Sequence, residues 1–163
     1  MADGLPVRSL GLTAPSPGSR APLLSCLALL LLTLVAYRSA GNLEFTCYDD
    51  NDYVTENPHV LSGVNRDNVV WALTTTHAAN WHPLTWISLQ CDSQLFGKEA
   101  SGYHITNLLL HALAASLLFL AWRQMTGAVW QSWLTAALFA VHPEHVESVA
   151  WIAERKDVLS AAF

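Results

Sequence analysis

At 163 residues, with 52% apolar and only 13% charged side chains, the chain carries about half the charged share of an ordinary soluble domain. Eight Lys and Arg against thirteen Asp and Glu give a formal charge of −5, which leaves no basic footprint for nucleic acid. Cys26, Cys47 and Cys91 form no metal-ligand spacing, and seven tryptophans, a residue that favours membrane–water boundaries, complete the signature of a membrane protein.

Residues 1–20 are rich in Pro, Gly and Ser, have no hydrophobic period, and read as a disordered cytoplasmic lead-in carrying Arg8 and Arg20. Residues 21–37 are almost wholly apolar and predict a first transmembrane helix. A secretory signal peptide is the rival reading, but cleavage before Gly41 would put Arg38 where a small residue is wanted, which favours a retained anchor. Residues 104–122 predict a second span and residues 128–142 a short third one, joined by the turn "RQMTG". Positive residues favour the cytoplasm, so the N-terminus and Arg123 belong inside, and segments 38–103 and 142–157 both face outside, with 143–163 holding a second outer-loop motif and the start of the next helix. Arg155 and Lys156 then lie outside, against that bias. Trp122, Trp130 and Trp133 flank the inner turn as an interfacial belt.

The outer segment 38–103 is too long for a bare connection. "NRDNVVWALTT" predicts a helix capped by Asn65 or Asp67 that buries Val69, Val70 and Leu73. "HPLTWISLQCDSQLFG" predicts another, with Pro83 in the first turn, Leu84, Ile87 or Ser88, Cys91 and Leu95 at helical spacing, and Gly97 past the end. Both suit amphipathic helices on the outer bilayer surface, with Cys47 and Cys91 as free, packed thiols. The fold class is therefore all-α: a multi-span helical membrane protein with three spans and amphipathic outer-loop helices, breaking off at the start of a fourth helix.

Polar groups inside such a protein are expensive. His104, Asn107 and His111 share one face of the second span, as interhelical hydrogen bonders or as the lining of a pocket open to the outer side. After the third span, "HPEHVESVAWIAERKDVLS" puts His142, His145 and Glu147 at the start of a helix on that same side, without the HExxH spacing of a zinc protease. In "CYDDNDYVTENP" the carboxylates Asp49, Asp50, Asp52 and Glu56 crowd together beside the membrane. Close carboxylates repel, so one holds its proton more tightly, as a general base requires; a solvated acidic turn and a seat for a divalent metal on Asp49 and Asp50 are the alternatives.

"YDDNDYVTENPHV", "NWHPLTWISLQCDSQLFG", "GYHITNLLLHAL" and "HPEHVESVAWIAERKDVLS" together resemble the N-terminal membrane part of the transmembrane-and-tetratricopeptide-repeat O-mannosyltransferases and their bacterial relatives. The likeness runs from about Phe45 to Phe163 and implies a C-type glycosyltransferase, an enzyme in its full-length form, that uses a polyprenyl-phosphate-linked sugar donor and a protein acceptor. It implies a multi-pass protein whose active face is extracytoplasmic, in the periplasm or the endoplasmic reticulum lumen. By the same analogy Asp49, or failing it Asp50, takes the proton from an acceptor Ser or Thr hydroxyl. His142, His145 and Glu147 support the acceptor or leaving group, Arg155 and Lys156 contact the departing phosphate, and His104 and Asn107 line the donor site. Trp81 and Trp86 offer flat faces to a sugar or to lipid. The family's remaining spans and repeats are absent from these residues, so a complete donor groove and activity of this segment by itself are not expected. A membrane-anchored repeat scaffold is the competing reading, and a metal-dependent hydrolase built on the histidines a third.

Overall fold

The computed structural model describes residues 20–163; the N-terminal lead-in lies almost wholly outside them. Every regular element among them is helical: α1 (Ala21–Ala36), α2 (Pro58–Leu61), α3 (Arg66–Thr74), α4 (Pro83–Phe96), α5 (Ala100–Thr126), α6 (Val129–Ala140), α7 (His145–Ala150) and α8 (Arg155–Ala162), with short tight or wide turns between them. The helix starts follow from local chemistry. The Asn57 side chain accepts the His59 and Val60 N–H groups, and Asn65 accepts that of Asn68, satisfying donors that a helix start leaves orphaned. Pro58 and Pro83 occupy first-turn positions where the missing N–H costs nothing. α5 ends at Gly127, in the left-handed conformation (φ 69°) that a glycine adopts without strain.

The elements form two layers. In the first, α1 and α6 run parallel to each other and antiparallel to α5: Leu29 of α1 packs with Phe119 near the far end of α5 and with Ala136 and Ala137 of α6, and the Trp133 indole N–H donates to the Ser25 carbonyl at 3.2 Å. α5 and α6 are in extensive contact, with Phe119 of α5 packed on Ala136 and Ala137 of α6, and both helices bury small residues, among them Ala112 and Ala115 on α5 and Ala136 and Ala140 on α6. The outward faces are apolar, with Leu24, Leu31, Leu109, Leu113, Trp130 and Leu138 all exposed. In the second layer α4, α7 and α8 pack on α5, and α2 and α3 pack on α4, over a core that includes Tyr53, Val60, Trp86, Leu89, Tyr103 and Ile152.

α5 alone is long and apolar enough to cross a membrane among the described residues. It coincides with the second expected span and extends it at both ends. α1 has 16 residues and α6 has 12, short of the roughly 20 that a crossing needs, so the three-span count is not established by these lengths.

The two outer helices stand where the sequence predicts, but the faces they bury differ. In α3 the buried residues are Asn68 and Ala72, while Val70 and Leu73 are exposed. α4 buries Thr85, Trp86, Leu89, Gln90, Asp92 and Ser93 and turns Leu84, Cys91 and Leu95 outward. The physical reason is that the polar stripe has partners inside. The Gln90 amide donates to the Asn68 carbonyl at 3.2 Å, Ser93 donates to Leu61 at 3.3 Å, and Asp92 meets a buried arginine.

Candidate functional site

The acidic stretch opens the second layer. Asp50 is fully buried, and both carboxylate oxygens are occupied: Oδ2 accepts the Thr46 N–H and hydroxyl at 2.9 and 3.1 Å, and Oδ1 accepts the Ala153 N–H at 2.9 Å. That last bond joins positions 103 residues apart and clips the first outer segment to the last. Beside it the Tyr48 and Trp151 rings lie 6.1 Å apart. Asp49, one position earlier, is half-buried, and among the described residues no hydrogen bond or ion pair engages its carboxylate. The chain then makes one wide helical turn, Asn51–Thr55, which seats Tyr53 in the core.

Tyr53 marks the meeting point of the charges, since Lys156, Glu154 and Asp49 all act on its hydroxyl. Burial raises the phenol above its ordinary value, against the pull of Lys156 and a hydrogen bond from Asn80. The Lys156 ammonium donates to Glu154 at 2.7 Å. Burial opposes its charge, but the bond to Glu154 and the nearby carboxylates outweigh it and hold the group above its ordinary value. His82, its ring tilted against Trp86 at 4.8 Å, is pushed down by burial and then by Lys156 and His77, so it stays neutral near pH 7. A cleft of about 530 Å³, lined chiefly by Trp81, His82, Leu84, Lys156, Leu159 and Phe163, opens beside this group. Its wall is mainly apolar, with Lys156 and Asp157 as its charged members, and the exposed Trp81 ring is pinned by its indole N–H to the Leu73 carbonyl at 3.0 Å.

Arg155 has a different position from its neighbour. It is fully buried, donating to Asp92 Oδ2 at 2.6 Å, the Tyr103 carbonyl at 2.9 Å, Ser88 at 2.8 Å and the Asn107 side-chain oxygen. Burial works against both partners, lifting the Asp92 carboxyl and lowering the guanidinium, with their mutual attraction opposing each shift. The side chain is thus committed internally rather than presented to a phosphate.

The remaining expected residues separate into two groups. Asn107 is buried and donates to the Val149 and Trp151 carbonyls at 3.3 and 3.1 Å, while His104 is buried beside the backbone of Leu43 and Glu44, close enough to feel the charge of Asp50. His142 and His145 lie elsewhere. The His145 ring packs on Phe139 at 4.4 Å and His111 at 5.2 Å, with His142 at 6.0 Å, around a separate cavity of about 180 Å³. His111 meanwhile bonds the Ala140 carbonyl at 3.0 Å across the helix pair. Burial lowers His145, as does His142, against Glu144. Glu147 is exposed, and no bond joins it to Asp49. Asp50 already holds three donors, and among the described residues no three His, Cys, Asp or Glu side chains converge as metal ligands.

Sequence reasoning missed Tyr53, Glu154, Ser88 and Asp92. Thr85, Ser88 and Asp92 do recur at helical spacing, and that polar stripe was the available signal.

Protein O-mannosyl-transferase Tmtc2 of Drosophila melanogaster is 31% identical over 142 residues, covering 82% of this chain and 15% of that protein. Human protein O-mannosyl-transferase TMTC2 is 28% identical over 139 residues, 81% of this chain and 16% of the relative. The chain belongs to this family. A Caenorhabditis elegans O-mannosyl-transferase, F38B6.6, shares 26% over 165 residues, 90% of this chain and 24% of its own length. The chain therefore spans between 15% and 24% of these three family members. No protein-family model matches it, and neither does any solved structure.

Proposed function

We propose that this segment supplies the acidic motif of a multi-pass membrane glycosyltransferase that moves a sugar, mannose or a close analogue, from a polyprenyl-phosphate carrier to protein Ser or Thr hydroxyls outside the cytoplasm. Asp49 is the general base. Its carboxylate accepts the proton of the acceptor hydroxyl as that oxygen attacks the anomeric carbon. The bond from that carbon to the phosphate oxygen breaks on the opposite face, inverting the centre, and the lipid phosphate leaves with the electron pair. Lys156 offsets the charge developing on that phosphate. Asp50 holds the loop in place, and Arg155, Asn107 and His104 support it from beneath. His142, His145 and Glu147 serve the acceptor side.

The observation that supports this reading is the Asp50–Ala153 clip. It carries the acidic loop to the Glu154–Lys156 turn and leaves Asp49 as the carboxylate with oxygens to spare. The names of the relatives favour the same chemistry. The test is sugar transfer from polyprenyl-phosphate mannose to a Ser/Thr peptide in membranes bearing the full-length protein. Asp49→Asn should abolish transfer while insertion and folding persist. Undiminished transfer ends the assignment of Asp49 as the base, and a parent protein that transfers no sugar leaves the repeat-scaffold reading.

A further inference from the structure

The polar hub beneath the site calls for a role of its own. Arg155 and Asp92 are both buried, and the guanidinium donates to two groups on α4, Ser88 and Asp92, and two on α5, the Tyr103 carbonyl and Asn107. The other Asp92 oxygen accepts the Thr106 hydroxyl at 2.8 Å. Asn107 turns its amide to the Val149 and Trp151 carbonyls, at the start of the turn that ends in Arg155. The planar fork thereby has partners on three sides and a single orientation that satisfies them. Lys156 is the next residue, and Ala153, which binds Asp50, lies two positions before.

Burying an ion pair adds little net stability compared with a well-packed apolar pair. What the hub supplies that an apolar contact would not is direction: leucine and methionine slide past one another, whereas a guanidinium fork does not.

We propose that Asp92 is a positioning residue which, through the Arg155 fork, fixes the Trp151–Lys156 turn and so sets where Lys156 stands relative to Asp49. The purpose of that placement rests on the transferase reading; the geometry does not.

The test reads distance rather than turnover. With Cys26→Ser and Cys91→Ser in place, spin labels are attached to the exposed Cys47 and to Ser160→Cys on α8, and the label-to-label distribution is recorded in frozen detergent samples of the purified chain, checked for native helix content. The parent is expected to give one narrow distribution. Asp92→Asn should shift it and widen it about twofold, as a locally loosened element does. Arg155→Lys should do the same, because an ammonium cannot reproduce the fork. Ser88→Ala, which keeps the ion pair and deletes one contact, should widen it less. A hub that only stabilises would lower the thermal midpoint and leave the width of folded samples unchanged, and that result in Asp92→Asn overturns the proposal. If Asp92→Asn does not fold, unchanged widths in both Arg155→Lys and Ser88→Ala overturn it equally. Full-length protein that transfers no sugar in any form refutes the transferase reading and leaves the distances to decide this one.

Discussion

Asp49 and Asp50 are neighbours in sequence with opposite surroundings, and substituting them one at a time separates chemistry from architecture. Asp50→Ala removes the acceptor of the Ala153 N–H at 2.9 Å and of the two Thr46 donors at 2.9 and 3.1 Å. A bond to an ionised group contributes about 1.5–3 kcal/mol, and a buried donor left unpaired costs about 1–3 kcal/mol. Thr46 is exposed and regains water, so the Ala153 bond dominates and the loss comes to roughly 2–4 kcal/mol. For a chain of this length that lowers Tm by roughly 4–16 °C. Asp49→Asn breaks no bond and should change stability by less than about 0.5 kcal/mol. Thermal unfolding of the purified protein in detergent, followed by circular dichroism, measures both, and the transfer assay gives the second axis. Asp50→Ala is expected to be destabilised, whereas Asp49→Asn is stable and inactive. A Tm for Asp50→Ala within about 2 °C of the parent would refute the clip, because no other described contact replaces that acceptor.

Asp92→Ala strands a buried guanidinium and should cost about 3–5 kcal/mol, whereas Lys156→Gln breaks a half-exposed pair and should cost less than about 1 kcal/mol; denaturant titration ranks them. His82 and His145 are held below their ordinary value of 6.5, so the folded state resists protonating them. Their contribution is full above that value and is lost as pH falls from it through the lower folded value, so Tm should decline with acidification below 6.5, and His82→Gln should flatten the slope. A methyl group on Gly102 would sit 2.2 Å from the Phe96 ring, so Gly102→Ala should cost about 1–3 kcal/mol, with Phe96→Ala restoring part of it in a double-mutant cycle. Cys47 and Cys91 are free and exposed on one layer, and a membrane-impermeant maleimide should label both from the same side.

Helix positions were legible wherever a local signal existed. Asn65, Pro83, Gly97 and Gly127 mark boundaries because caps and first-turn prolines act within a few residues. The burial of His104, Asn107 and His111 along one face of α5 was legible too, since helical spacing alone aligns them. Which face of α3 and α4 turns inward was not. An apolar stripe normally points to the core, but here the core offers Arg155 to Asp92, and that partner lies 63 residues away. For the same reason Arg155 and Lys156 read as equivalent cations in sequence, although the fold buries one and leaves the other at the edge of a cleft. The histidines at 142 and 145 read as companions of the acidic loop because both emerge at one end of the bundle. Their grouping with His111 and Phe139 depends on the direction of the turn between α6 and α7, which Pro143 marks in position but does not aim.

α5 is a mast shared by both layers. At 27 residues it measures about 40 Å, some 10 Å more than the hydrocarbon depth of an average bilayer. Its first turns carry Tyr103, Thr106 and Asn107, which bond to α4 and α8. For an α5 that crosses a bilayer, thickness would then be a variable in its own right, because a thicker membrane would draw these polar attachments toward the acyl chains, where they must tilt or tighten to stay satisfied.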